Sequence, residues 1–243
     1  MDLDEFESRM SRIDTLDYAH LAGLLLAFLR QRGIHEVAYH HLPPLGAPDA
    51  RTPRILSHGF SPEVLELAAA GRDSGTTPVA SYVQQNPDPI YWDEIEGRRA
   101  LSAREKAHLA IMREAGAVNG LSMQVFGPHG RNAIFSLGLG PDVLRLDVET
   151  LRAVQTACQS AHQRYCALLI PTLGETPELS PREAEVLAWV AQGKSNASVG
   201  EILGISAHTV DAHLRRIYLK LGVFDRVSAA LRGLGFGLIQ PTA

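Results

Sequence analysis

The C-terminal stretch Leu179-Ser180-Pro181-Arg182-Glu183, continuing through Ala184 to Gln192, Gly193-Lys194-Ser195-Asn196 and Ser206-Ala207-His208-Thr209-Val210-Asp211-Ala212-His213-Leu214-Arg215-Arg216, divides at its own caps and glycines into short helices. Ser180 is an N-cap candidate, Pro181 suits a first helical position and Glu183 stands three residues on, so a capping box and the proline preference agree on a helix start. Ala184, Leu187 and Val190 recur at helical spacing, and Gly193 ends the helix. Asn196 or Ser198 can cap a second short helix that ends near Leu203. Gly204-Ile205 then makes a tight turn before Ser206 caps a third. Two short helices joined through a glycine turn form the helix-turn-helix arrangement.

In the third helix Val210, Leu214, Ile217 and Leu221 lie on one stripe that faces a core, which leaves His208, Ala212, Arg215 and Arg216 pointing outward. A small, basic outward face suits the major groove, where Arg bonds guanine edges or phosphates. A charge cluster alone would read as the solvated face of a four-helix bundle; the spacing favours the DNA-binding reading.

Glu183, Leu187, Gly193, Ser206, Thr209-Val210, His213, Lys220-Leu221-Gly222-Val223 and Arg226 resemble the C-terminal effector domain of LuxR-type transcription regulators. The resemblance covers the last quarter of the chain. It implies a DNA interface of His208, Thr209, Asp211, Ala212, Arg215 and Arg216, with Lys194 beside it. It further implies a homodimer on a palindromic operator in double-stranded DNA, with RNA polymerase as a further contact. Asp211 departs from the pattern, which commonly has Lys or Arg there. An Asp can accept from cytosine N4 or bond Arg215 four residues later, so the family's operator does not transfer.

Charge divides along the chain. From Glu175 onward there are seven Lys/Arg and seven Asp/Glu, so the whole net charge of −4 lies in the preceding part. An acidic first part argues against a chain that coats nucleic acid along its length, whereas a neutral head with cations gathered on one helix remains a local reader. At 243 residues the chain accommodates two cores, and 45% hydrophobic residues is a globular composition. The acidic start (Asp2, Asp4, Glu5, Glu7) does not read as a signal peptide, and Leu21 to Leu29 is too short to span a bilayer, so the expectation is a cytoplasmic protein without membrane contact. Cys158 and Cys166, eight apart on an expected helix, sit about 12 Å apart along its axis and read as reduced core thiols rather than a disulfide.

Residues 1–170 read as a first domain, 171–178 as a proline-bounded linker and 179–243 as the head. Asp2 to Arg12 and Thr15 to Gln31 read as helices, Glu36 to Leu42 and Arg54 to Phe60 as strands, and Ser61-Pro62-Glu63 opens a helix that fades at Gly71. Gly75 to Asp93 reads as a long wall or loop segment. Ser102 with Glu105 caps a helix to Glu114. Leu121 to Phe126 and Ala133 to Leu139 flank a Gly/Pro turn and form a hairpin. Asp147 or Thr150 begins a long helix to about Leu169. The fold class is therefore α+β: an N-terminal α-β-α sandwich around a small antiparallel sheet, then a C-terminal all-α four-helix head. Such a sandwich can hold a ligand between its sheet and one helical layer.

Pro78-Val79, Trp92-Asp93 preceded by Pro89, and Gly120 resemble the autoinducer-binding domain of the same LuxR family. The resemblance implies a small-molecule signal and no other cofactor. Where the family has an Asp that bonds the amide of an acyl-homoserine lactone stands Thr77. Ser61 to Ser81 contains no aromatic residue where the family places a Trp and a Tyr. Trp92 either donates its indole N–H to a ligand or fills the core with that N–H on a backbone oxygen. Trp92 and Tyr82 are the expected aromatic wall, with Phe60 beside them and Thr77 and Ser136 as polar contacts; the expected lactone response is atypical or absent.

No catalytic set is read. His35, His40, His41 and His58 lack helical ligand spacing and no Cys joins them in sequence, so no metal site is expected. There is no G-x-S-x-G elbow and no P-loop lysine. Lys106 is the sole Lys before the linker and lies inside an expected helix, which disfavours a phosphoreceiver. The alternative function is a protein-interaction module controlling the same head.

Overall fold

The computed structural model describes residues 1–15, 17–50, 55–73, 77–140 and 143–240. Arg54 and Gly75, at which an expected strand and an expected wall or loop segment begin, lie outside them. The elements run α1 (Leu3–Ser11), α2 (Tyr18–Arg30), β1 (Ile34–Leu42), β2 (Ile55–His58), α3 (Pro62–Asp73), α4 (Pro78–Val83), β3 (Ile90–Tyr91), α5 (Ile95–Arg98), α6 (Ala103–Glu114), β4 (Gly120–Val125), β5 (Asn132–Leu139), α7 (Val148–Leu169), α8 (Pro181–Ala191), α9 (Asn196–Leu203), α10 (Ala207–Leu221) and α11 (Arg226–Gly235). They form two compact units: Met1–His41, Arg54–Gly127 and Asn132–Leu169 make the first, and Leu42–Pro53, Pro128–Arg131 and Ile170–Ala243 the second.

The first unit is built on a five-stranded sheet in the order β2-β1-β5-β4-β3. β4 and β5 pair antiparallel, with Gly120 opposite Gly138, Ser122 opposite Ser136 and Met123 opposite Phe135. Because side chains alternate along a strand, the odd positions Leu121, Met123, Val125, Phe135 and Leu137 share one face and are all buried. On that face Tyr39 of β1 reaches His162 and Tyr165 of α7. The even positions Ala38, His40, Ser122, Ile134 and Ser136 face the other way, towards α3, α4 and α6. The sheet thus lies between two helical layers, as the periodicity predicts.

Local signals set most boundaries. Asp2 and Asp17 accept backbone N–H bonds at the starts of α1 and α2, so α2 begins at Tyr18, three residues later than the expected Thr15. Ser102 and Glu105 complete a capping box on α6. Asp147 accepts from Thr150 N at 2.9 Å at the start of α7. Gly75 to Asp93 is a different case: its described part is no continuous loop but holds α4 and β3. Pro78 supplies the preset φ of a first helical turn. Ile90 and Tyr91 are strand because β4 offers them a ladder, a partner that local sequence does not announce.

In the second unit α8 to α11 surround a core of Val186, Leu187, Val190, Val199, Val210, Leu214, Ile217, Leu221, Ala229 and Ile239. Ser180 and Glu183 form the expected capping box. The cap of α9 is Ser195, which accepts from Ser198 N at 3.2 Å; the expected Asn196 or Ser198 each stand inside the helix instead. α9 and α10 meet through Gly204 at φ 66, with Ile205 N bonded to Gly200 O at 2.9 Å. Also in this unit, Arg131 is buried against Asp49, at 3.0 Å, and donates to Gly235 O at 3.2 Å. Charges removed from water are retained when paired and hydrogen-bonded in this way.

A Cβ added at Gly200 would meet Ile205 O at 2.6 Å and Ala207 N at 3.3 Å, so the backbone of the turn lies where a side chain would go. Gly200→Ala is expected to destabilise the second unit by about 1–3 kcal/mol, read as a lowered Cm in urea at unchanged m-value.

Candidate functional site

The recognition helix is positioned by its buried stripe. Val210, Leu214, Ile217 and Leu221 pack inward, which turns His208, Ala212, Arg215 and Arg216 to solvent, while Thr209 and Asp211 are half-buried at its edge. Ser206 caps the helix by accepting from Thr209 N at 3.0 Å. Lys194 is exposed in the connection between α8 and α9, and its carbonyl accepts from Arg226. Of the expected interface residues, six therefore share α10 and Lys194 stands on a separate segment.

The departure at Asp211 has a structural counterpart: its carboxylate pairs with Arg215 at 2.8 Å, one helical turn on. Arg215 remains 76% exposed, so the pair orients the guanidinium across the helix without burying it. Arg216 lies 3.1 Å from His213 Nδ1 and 3.8 Å from Glu183. Glu183 does more than cap α8. Its carboxylate, 5% exposed, also accepts from Lys220 Nζ at 2.7 Å, joining the start of α8 to the end of α10. Burial alone would raise this carboxyl, but the bonds from Lys220 and Ser180 outweigh it and hold the pKa below its ordinary value. Sequence reasoning read Glu183 as a cap and missed its tie to α10.

In the first unit a cavity of about 380 Å³ lies between the sheet and α3, α4 and α6. Thr77, Trp92, Ser136 and Phe60 all line it; Tyr82 does not, although its neighbours Pro78, Val79 and Ala80 do. The expected aromatic wall is thus Trp92 with Phe60, ring centres 6.2 Å apart, and the assignment of Tyr82 to it is corrected. On a six-residue helix whose first turn meets the cavity, a side chain four positions beyond Pro78 has passed along to the next turn.

Ser122, which sequence reasoning missed, is central. Trp92 donates its indole N–H to Ser122 Oγ at 3.0 Å, and Ser122 Oγ lies 2.9 Å from Ser136 Oγ. The Trp92 N–H, left between a ligand and a backbone oxygen by the sequence, is taken by a side chain. The cross-strand register that puts Ser122 opposite Ser136 was the available signal. Trp92 closes on Gly120, where an added Cβ would meet its ring at 2.5 Å. Thr77 precedes α4 without capping it through its side chain. Ala68 and Ala69 stand on the α3 wall where bulkier residues would fill the space. Among the described residues that line it, Arg113 is the one formally charged, paired with Glu96 at 3.0 Å. Burial lowers the pKa of His108, another wall residue, so its imidazole is neutral at pH 7.

One histidine grouping differs from expectation. His41 is not isolated from cysteine: among the described residues, His41, His162 and Cys166 are buried together with a ligand atom of each within 4.8 Å of the others. Cys158 and Cys166 are both buried, and burial pushes the Cys158 thiol far up. Among the described residues no helix is long and apolar enough to cross a membrane.

A chain that carries both a helix-turn-helix unit with an outward basic helix and a sandwich unit with a small-molecule-sized cavity falls in the class of DNA-binding regulators with a sensor domain. Residues 177–232 match the family described as bacterial regulatory proteins, luxR family, and residues 17–165 match the autoinducer binding domain. The chain belongs to the LuxR family of bacterial regulatory proteins. Similar proteins include the quorum sensing-dependent transcriptional regulator RpaR of Rhodopseudomonas palustris, 29% identical over 76% of this chain and 75% of that protein. The transcriptional activator BjaR1 of Bradyrhizobium diazoefficiens is 31% identical over 68% of this chain and 67% of its own length. Coverage is lower elsewhere: the match to the y4qH protein of Sinorhizobium fredii, 29% identical, spans 67% of this chain and half of that protein. In fold, SdiA in complex with octanoyl-rac-glycerol superposes with a TM-score of 0.70 at 17% identity, covering 97% of this chain and 94% of the other.

Because folding lowers the Glu183 pKa, its stabilising contribution is present above the ordinary carboxylate value of 4.5 and is lost as pH falls through the lowered folded value. Glu183→Gln is therefore expected to destabilise the second unit at pH 7 by about 1–3 kcal/mol. The difference from the parent should shrink as the pH drops below 4.5. Thermal melts of both proteins across that range check the sign; a constant difference would remove the charge from the account.

Proposed function

We propose that this protein is a sequence-specific transcription regulator that reads a palindrome in double-stranded DNA as a homodimer, through His208, Thr209, Asp211, Ala212, Arg215, Arg216 and Lys194. The observation that carries this reading is the exposed face of α10, small at Ala212 and basic at Arg215 and Arg216, on a helix whose other face is fully committed to the core. One recognition helix contacts few base pairs, and two related by a twofold axis read half-sites about one helical turn apart. The proposed division is a sensor domain over 1–170, a linker over 171–178 and the head over 179–243. With these assignments go a cytoplasmic location, contact with RNA polymerase and no enzymatic activity.

The cavity is proposed to take a neutral, largely apolar molecule through Thr77, Trp92, Ser136, Phe60 and Ser122. Thr77 offers a hydroxyl where the family pattern has a carboxylate, and among the described residues the walls carry one paired charge. A ligand amide N–H bonded to a hydroxyl rather than a carboxylate loses roughly 1–3 kcal/mol. Standard acyl-homoserine lactones are thereby disfavoured.

Two measurements test these assignments. On an operator selected from a random DNA library, Arg215→Ala should lose about 1–3 kcal/mol of specific binding and relax one base position, while Arg216→Ala should weaken all sequences alike and reduce the salt slope. Unchanged operator affinity in Arg215→Ala would refute the role of this helix. In thermal melts with a panel of acyl-homoserine lactones at micromolar concentration, no large stabilisation is expected. A ligand of nanomolar affinity would contribute about 4 kcal/mol under those conditions, and such a shift with a standard lactone would overturn the account of Thr77.

A further inference from the structure

The ligand cavity does not use the second polar group in the first unit, on the opposite face of the sheet. His41 ends the buried run of β1, and His162 and Cys166 stand one turn apart on α7, all three at most 1% exposed. Cys166 Sγ lies 3.6 Å from His162 Nε2. A thiolate sulfur and an imidazole nitrogen on one metal ion, with bonds of about 2.3 and 2.0 Å, are about 3.7 Å apart at the trigonal angle of a three-coordinate site. A nitrogen of His41 completes the set within 4.8 Å, so a rotation that closes about one ångström would bring three ligands onto one centre. Tyr39 Oη lies 2.8 Å from Nδ1 of His162 and 3.4 Å from Nδ1 of His41. A hydrogen bond to one ring nitrogen orients the other towards a metal, the usual supporting arrangement of ligating histidines. A crevice of about 50 Å³ lined by Tyr18, Leu21, Leu25, Tyr39, His162 and Tyr165 leads to the same rings.

We propose that His41, His162 and Cys166 form a binding site for copper(I). Charge selects the ion. Two neutral imidazoles and one thiolate carry a single negative charge, so a monovalent ion leaves the buried complex neutral, whereas zinc(II) would leave a positive charge in an apolar core. Binding displaces the thiol proton to solvent and forms one Cu–S bond, with no change of oxidation state. Two imidazoles with one thiolate in three-coordinate geometry also match the preference of a soft cation for sulfur. An ion there would clasp β1 to α7, two elements distant in sequence.

The test is anaerobic titration of the full-length chain with copper(I) buffered by bicinchoninate, with zinc(II) as a separate arm. One copper(I) per chain should be withdrawn from the chelator, with ultraviolet thiolate-to-copper absorption and a raised Tm. Cys166→Ser should lose that stoichiometric uptake, whereas Cys158→Ser, a buried thiol on the same helix, should keep it. Tyr39→Phe, which leaves all three ligands, should bind about 10- to 100-fold more weakly and guards against a folding failure in Cys166→Ser. No withdrawal by the parent protein, or equal loss in both cysteine variants, would overturn the site. Tighter zinc(II) than copper(I) binding at these residues would overturn the choice of ion.

Discussion

The first unit depends on the alternation along its central hairpin. β4 and β5 are covered on both faces, yet the two faces are filled differently: Leu121, Met123, Val125, Phe135 and Leu137 are large and close-packed, while Gly120, Ser122, Ser136 and Gly138 are small. Small side chains opposite one another across a ladder leave space that the strands themselves cannot close. Trp92 enters that space over Gly120 and the Glu36 side chain enters it over Gly138, while Ser122 and Ser136 line the cavity. One face of the sheet therefore holds the unit together, and the other is available to a ligand.

Polar groups at the cavity follow from this arrangement. With neighbouring walls apolar, the Trp92 indole and the two hydroxyls satisfy one another as a chain. A ligand that enters must improve on these bonds or leave them intact, which favours molecules with few polar atoms. Neutral His108 and the pairing of Arg113 with Glu96 act in the same direction.

The second unit solves a different problem, which is to present a charged helix face rigidly. α10 is held along its stripe by apolar contact and at its far end by Glu183, whose buried carboxylate caps α8 and accepts from Lys220. Of its outward residues, Arg216 lies 3.8 Å from Glu183 and 3.1 Å from His213 Nδ1, and Asp211 pairs with Arg215. An exposed pair of this kind contributes little to stability. Its consequence is the direction in which the guanidinium is held, and that bears on base choice.

The sequence by itself determined the elements that carry their own signals. Caps at Ser102, Ser180 and Ser206, the heptad-like stripe of α10, the Gly204 turn and the alternating hairpin all rest on contacts within a few residues, and the C-terminal ones among them suffice to mark a helix-turn-helix. Only the tertiary structure decided what depends on distant partners. β3 is a strand because β4 lies beside it, and Ser122 matters because Ser136 stands across from it. Tyr82 does not line the cavity because it stands one turn further along α4 than Pro78. His41 meets His162 and Cys166 across more than a hundred residues of chain because the sheet brings β1 against α7. Spacing along a chain predicts contacts within one helix or one hairpin; convergence of side chains from separate elements is set by how those elements pack, which local periodicity does not encode.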